Sequence, residues 1–126
     1  MNIINCKSAL TTLKSGLPII FPTDTLPAIG CLPEFSDIIY EFKKRDANKP
    51  LILMGSEQRQ IIDYVNESAK QDYENMASKY WPGALTNVIP STEKQSAILT
   101  SKDLTLGLRI PNLQMAQSLL KETGPL

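Results

Sequence analysis

LPIIFPTDTLPAIG, residues 17–30, changes chemical character halfway along, from core segment to polar turn. Ile19-Ile20-Phe21 is the β-branched and aromatic run of a strand buried on both faces. Pro22-Thr23-Asp24-Thr25 follows at once, small polar groups in a proline-stiffened turn. A buried strand that opens into a polar loop is how open α/β sheets present ligand-binding groups, at the carboxyl edge of a strand. A strand with an ordinary surface turn has the same local pattern. The choice between the two depends on where the other unusual stretches fall.

Upstream, Cys6, Ala9, Leu10 and Leu13 recur at helical spacing, and Gly16 is placed as the residue after the helix end. Downstream, Phe35, Ile38, Ile39 and Phe42 repeat the i, i+3, i+4, i+7 pattern and predict a helix to about Lys43. Leu51 to Met54 reads as a strand. Residues 57–80 read as two helices with a break near Asn66, the inner face of the second carrying Ala69, Tyr73, Met76, Ala77 and Tyr80. Trp81-Pro82-Gly83 stops that helix, because proline cannot continue the hydrogen-bond ladder. Leu85–Ile89, Ala97–Leu99 and Thr105–Ile110 read as strands, and Leu113, Ala116 and Leu120 mark a final helix before Gly124-Pro125. Helices and strands interleave without repeats, so the fold class is α/β (α+β), a twisted mixed β-sheet with flanking helices in one domain, residues 1–126.

Composition removes several chemistries. The 126 residues carry 13 basic and 13 acidic side chains, so no global charge draws the chain to nucleic acid or membrane. No apolar stretch approaches the roughly 20 residues of a membrane span, and the expected compartment is the cytoplasm. Cys6 and Cys31 lack zinc-type spacing and read as small apolar fillers. With no histidine, triads, His bases and His-ligated zinc are excluded. Lysines, arginines, carboxylates, hydroxyls and backbone dipoles remain.

Two stretches concentrate those groups. Lys43-Lys44-Arg45-Asp46-Ala47-Asn48-Lys49-Pro50 sets four cations within seven residues. They suit either a solvated helix end complementing its dipole or a cradle for phosphate or carboxylate, arginine as a fork and lysine as a point charge. In Thr105-Leu106-Gly107-Leu108-Arg109-Ile110, Thr105, Gly107 and Arg109 alternate onto one face of a strand. An arginine there, beside a glycine that permits close approach, suits a carboxylate or phosphate; an exposed edge-strand arginine fits as well. Neither Walker A nor GxGxxG is present.

Taken in order, Pro22-Thr23-Asp24-Thr25, Lys43-Lys44-Arg45, Lys49-Pro50-Leu51, Trp81-Pro82-Gly83-Ala84-Leu85-Thr86 and Arg109-Ile110-Pro111 resemble the YrdC-like family of threonylcarbamoyl-adenylate synthases. The resemblance implies a YrdC-like fold with a concave, locally basic surface. It implies condensation of L-threonine, bicarbonate or CO2, and ATP to threonylcarbamoyl-adenylate and pyrophosphate, the first step toward the t6A modification of ANN-decoding tRNAs. It further implies that Thr25, Met54 and Arg109 contact threonine, Arg109 through its carboxylate. Lys43 and Arg45 would face the reacting phosphates or carbamate as the catalytic cations. Arg45, Lys49 and Thr105 would serve ATP, with Mg²⁺ on the phosphates and no protein metal ligand. Partners implied are tRNA or double-stranded RNA and a tRNA threonylcarbamoyltransferase complex. The family's TSAN-like segment would follow Leu126, so the domain is expected to lack its C-terminal part. Against the usual PTDTVYGLG stretch, Pro27 and Ala28 replace tyrosine and glycine, and Leu113 stands where many members have histidine. A double-stranded RNA or tRNA-binding module and an inactive remnant are the alternative readings.

Overall fold

A computed structural model describes residues 5–44, 50–92 and 104–126. Helix α1 (Cys6–Lys14) begins at Asn5, whose side-chain oxygen accepts from the Ser8 amide at 2.9 Å, satisfying one otherwise orphaned donor of the first turn. Gly16, at φ +90°, reverses the chain after it. Strands β1 (Ile19–Phe21) and β2 (Ala28–Gly30) then form an antiparallel hairpin, Ile19 opposite Gly30 and Phe21 opposite Ala28. The polar turn of residues 22–27 is its loop.

A 3-10 turn (Pro33–Phe35) leads into α2 (Asp37–Lys43), which ends on Lys44 in the left-handed region. Strand β3 (Ile52–Met54) and the short α3 (Gln58–Ile61) follow. Asn66 caps a 3-10 turn that enters α4 (Lys70–Tyr80), its side chain accepting from the Ser68 amide at 3.0 Å. Strands β4 (Asn87–Pro90) and β5 (Thr105–Arg109) and helix α5 (Gln114–Thr123) complete the described elements.

Strand β5 is central in a three-stranded mixed sheet, parallel to β3 and antiparallel to β4. Leu126 adds to the outer edge of β3 through reciprocal bonds with Met54 at 2.9 and 3.1 Å. One face of this sheet turns Leu53, Ile89, Leu106 and Leu108 against Tyr73 and Ala77 of α4 and Trp81 just beyond it. A second cluster joins α1, α5 and the hairpin through Leu13, Phe21, Ala116 and Leu120. Among the described residues no helix is long and apolar enough to cross a membrane.

The expected α/β class holds, with the strands divided between two sheets. Several local expectations are corrected. Strand β1 is not buried on both faces: Ile20 is 63% exposed, because a two-stranded hairpin has a face that nothing covers. Ala28–Gly30 has no alternating pattern that predicts a strand; hairpin pairing alone makes it one. In α2 only Ile39 is buried, while Phe35 and Phe42 are exposed. Tyr80 likewise lies outside the core, as the last residue of α4, and Met76 is half-buried. The strand expected over Ala97–Leu99 lies outside the described residues.

Cys31 is buried just after β2, as its reading as an apolar filler requires. Desolvation, with the Glu34 carboxylate second, pushes its thiol up from 9.0 to about 11. That shift leaves about 100-fold less thiolate near neutral pH, and thiolate is the nucleophile. Alkylation at pH 8, followed by peptide mass spectrometry, is therefore expected to modify Cys31 about 100-fold more slowly in folded than in urea-unfolded protein. Equal rates would show that the thiol is not sequestered.

Candidate functional site

The polar hairpin loop, the turn after α4 and the end of β5 meet at one guanidinium. Arg109 is the last residue of β5, on the face opposite Leu106 and Leu108, and its side chain is 7% exposed. Its Nε donates to the Gly83 carbonyl at 3.1 Å. One terminal nitrogen, Nη1, donates to Thr25 Oγ1 at 3.1 Å. The other, Nη2, is ion-paired with the Asp24 carboxylate, whose side chain is 17% exposed. A buried arginine needs such compensation, since an unpaired charge in this position would cost several kcal/mol. The exposed edge-strand alternative is thereby excluded.

The loop is shaped to deliver those partners. Thr23 is buried; its hydroxyl donates to the Leu26 carbonyl at 2.7 Å and accepts from the Thr25 amide at 3.1 Å. The Thr23 and Thr25 hydroxyls lie 3.2 Å apart. A hydroxyl has one proton, and that of Thr23 is spent on Leu26, so in this pair Thr25 is the donor. Thr25 thus accepts from Arg109 while holding a proton that can turn toward an incoming acceptor.

The turn is fixed from the other side. The Trp81-Pro82 peptide is cis, and the indole Nε1 donates to the Leu85 carbonyl at 2.8 Å. The Gly83 amide donates to the Ile110 carbonyl at 2.8 Å while its own carbonyl receives Arg109. Both polar groups of one glycine therefore clamp the turn to the end of β5.

Of the site residues expected from sequence, Thr25 and Arg109 touch, and Met54 stands beside Arg109 as its register partner across β3 and β5. Met54 and Lys43 line a common cavity of about 510 Å³ between the hairpin, α2 and β3, with Phe21, Ile39, Leu53 and Leu126. Thr105 is half-buried at the start of β5, on the same face as Arg109. Arg109 is four positions further along, about 13 Å on a strand. Arg45 and Lys49 lie outside the described residues. Asp24 and Gly83 are the members that sequence reasoning quoted without giving a role. For Asp24 a signal existed: an arginine entering a core strand demands a carboxylate, and its motif offers one. Gly83 acts through its main chain, which leaves no side-chain signature.

Comparison with known proteins adds to this geometry. Residues 11–126 match the Sua5/YciO/YrdC family model, described as telomere recombination. The chain belongs to the Sua5/YciO/YrdC family. It is 32% identical over 114 residues to the threonylcarbamoyl-AMP synthase of Buchnera aphidicola subsp. Baizongia pistaciae, covering 87% of this chain and 61% of the relative. With the threonylcarbamoyl-AMP synthase of Idiomarina loihiensis it shares 30% identity over 122 residues, 94% of this chain and 65% of the relative. The chain thus spans somewhat under two thirds of the length of these relatives. P. abyssi Sua5, in a crystal structure with L-threonine, superposes with a TM-score of 0.85 at 27% identity, covering 98% of this chain and 38% of Sua5. E. coli YciO shares the fold at a TM-score of 0.72 and 22% identity, covering 96% of this chain and 62% of YciO.

Proposed function

We propose that this Sua5/YciO/YrdC chain carries the amino-acid site of an L-threonylcarbamoyladenylate synthase, a cytoplasmic nucleotidyltransferase serving t6A formation on tRNA. The observation that supports the reading is the contact of Arg109, at the end of β5, with Thr25 of the hairpin loop, and Met54 is the register partner of Arg109 on β3. P. abyssi Sua5, which superposes on nearly the whole chain, has been crystallised with L-threonine.

The chemistry suits the groups available. The threonine amine would add to CO2 with loss of a proton, or to bicarbonate with loss of water, giving a carbamate whose oxygen attacks the α-phosphorus of ATP as the bond to pyrophosphate breaks. Two anions must meet, so the protein's task is to screen charge and align reactants, without a nucleophile of its own. Arg109 and the Thr25 hydroxyl would hold the threonine carboxylate. Lys43, Arg45 and Lys49 would screen the phosphates, with Thr105 at the nucleotide. Mg²⁺ would enter with the triphosphate as part of the substrate. Among the described residues no three His, Cys, Asp or Glu side chains converge to hold a metal.

Incubation with L-threonine, bicarbonate and Mg-ATP should release pyrophosphate in a threonine-dependent manner. A folded sample that binds neither ATP nor threonine would dispose of the reading. Arg45→Ala is expected to weaken ATP binding by about 1.5–3 kcal/mol, the range for hydrogen bonds to charged groups. Calorimetry with unchanged ATP affinity in that variant would remove Arg45 from the cradle.

A further inference from the structure

The ion pair at the centre of the site is only half used. A guanidinium has five N–H donors. Three of Arg109's are engaged, by Gly83, Thr25 and Asp24, which leaves one on each terminal nitrogen. Asp24 meets Arg109 through Oδ1, and among the described residues Oδ2 accepts no hydrogen bond. The Asp24 side chain is also the more open of the two, 17% exposed against 7%. Unused donors and an unused anionic acceptor therefore stand side by side at the mouth of the hairpin loop. That is the charge complement of an α-amino acid, which carries its carboxylate and ammonium on one carbon.

We infer that Asp24 recognises the substrate's α-ammonium group through Oδ2 while Arg109 and Thr25 take its carboxylate. The inference rests on the amino-acid site proposed above and adds to it a determinant for amino over hydroxy acids. Without such an acceptor, an ammonium brought beside the buried Arg109 would meet a like charge and lose its water uncompensated. The Asp24–Arg109 pair leaves the site nearly neutral, so a zwitterion gains at both ends where a plain carboxylate gains at one.

The test compares binding of L-threonine and of (2S,3R)-2,3-dihydroxybutanoate, which replaces the ammonium by a hydroxyl, by isothermal calorimetry. Unaltered protein should prefer L-threonine by about 10- to 100-fold, the worth of one charge-assisted hydrogen bond. Asp24→Asn should reduce that preference to about threefold or less, with ATP affinity unchanged. If Asp24 only positions Arg109, both ligands weaken together and the ratio survives. If its carboxylate occupies Arg109 in place of substrate, both ligands tighten. Either result overturns the inference, as does a ratio near one in the unaltered protein, which needs no variant to fold. Ammonium discrimination in a protein that releases no pyrophosphate would sink the synthase reading and leave this one standing.

Discussion

Arg109→Ala should lose about 3–5 kcal/mol of folding stability together with threonine binding, the cost expected when one partner of a buried ion pair is removed. Two groups lose their partner at once, the Asp24 carboxylate and the Gly83 carbonyl, while the Thr25 hydroxyl keeps Thr23. Most of the cost comes from those unmet partners rather than from the net worth of the pair. Removing both charges separates the two roles. Asp24→Asn combined with Arg109→Met should be less destabilised than Arg109→Ala, since no charge is left buried alone, yet should still fail to bind threonine. Arg109→Lys keeps the charge but cannot reach three acceptors with one fork, so it too should bind poorly. Urea unfolding gives the stabilities and calorimetry the affinities. An Arg109→Ala protein of full stability with an unaltered threonine Kd would mean that the guanidinium is neither keystone nor ligand.

The reach of sequence reasoning can be seen on that strand. Alternation in Thr105–Ile110 sets Arg109 on one face and Leu106 and Leu108 on the other, the face that the structure packs into the core, because a period of two is imposed by the pleat. The close of α1 at Gly16 was equally legible, since few residues besides glycine adopt φ +90° without strain. Apolar side chains misled where no neighbour arrived to cover them. Ile20 sits in a continuous apolar run and Phe42 in a helical repeat, yet they are 63% and 61% exposed. Periodicity reports which residues share a face, not whether another element packs on it.

In the site, the meeting of Thr25 with Arg109 spans 84 residues, and only the order of motifs hinted at it. No local rule ties Asp24 to a strand 85 positions away. Arg45 and Lys49, whose expected role is the nucleotide, fall outside the described residues.

Tyr73→Ala is the second change with a large expected effect, and it acts from the far side of the sheet. Tyr73 is fully buried, its ring meets Trp81 edge-on at 5.7 Å, and its hydroxyl donates to the Gln58 carbonyl at 2.9 Å. Deleting a buried aromatic ring costs about 3–5 kcal/mol through lost transfer energy and the cavity left behind. Tyr73→Phe keeps the ring and removes only the hydroxyl's bond to the Gln58 carbonyl, a cost of about 1 kcal/mol. The two variants should also differ at the site. Trp81 begins the turn whose Gly83 carbonyl receives Arg109, so the cavity in Tyr73→Ala loosens a wall of the proposed amino-acid site while Tyr73→Phe leaves it packed. Weaker threonine binding is expected in the first and unchanged binding in the second. The phenol offers an independent check. Burial, with the Glu74 carboxylate second, raises its pKa above the ordinary 10.0. A raised value favours the neutral form in the folded chain, so its contribution is whole below pH 10 and declines as alkali ionises the exposed phenol of the unfolded chain. Denaturation followed from pH 8 to 11 should therefore show a steeper alkaline loss in the unaltered protein than in Tyr73→Phe. Parallel profiles would mean that Tyr73 ionises as readily in the fold as in water, and the packing that ties α4 to the arginine would have to be redrawn.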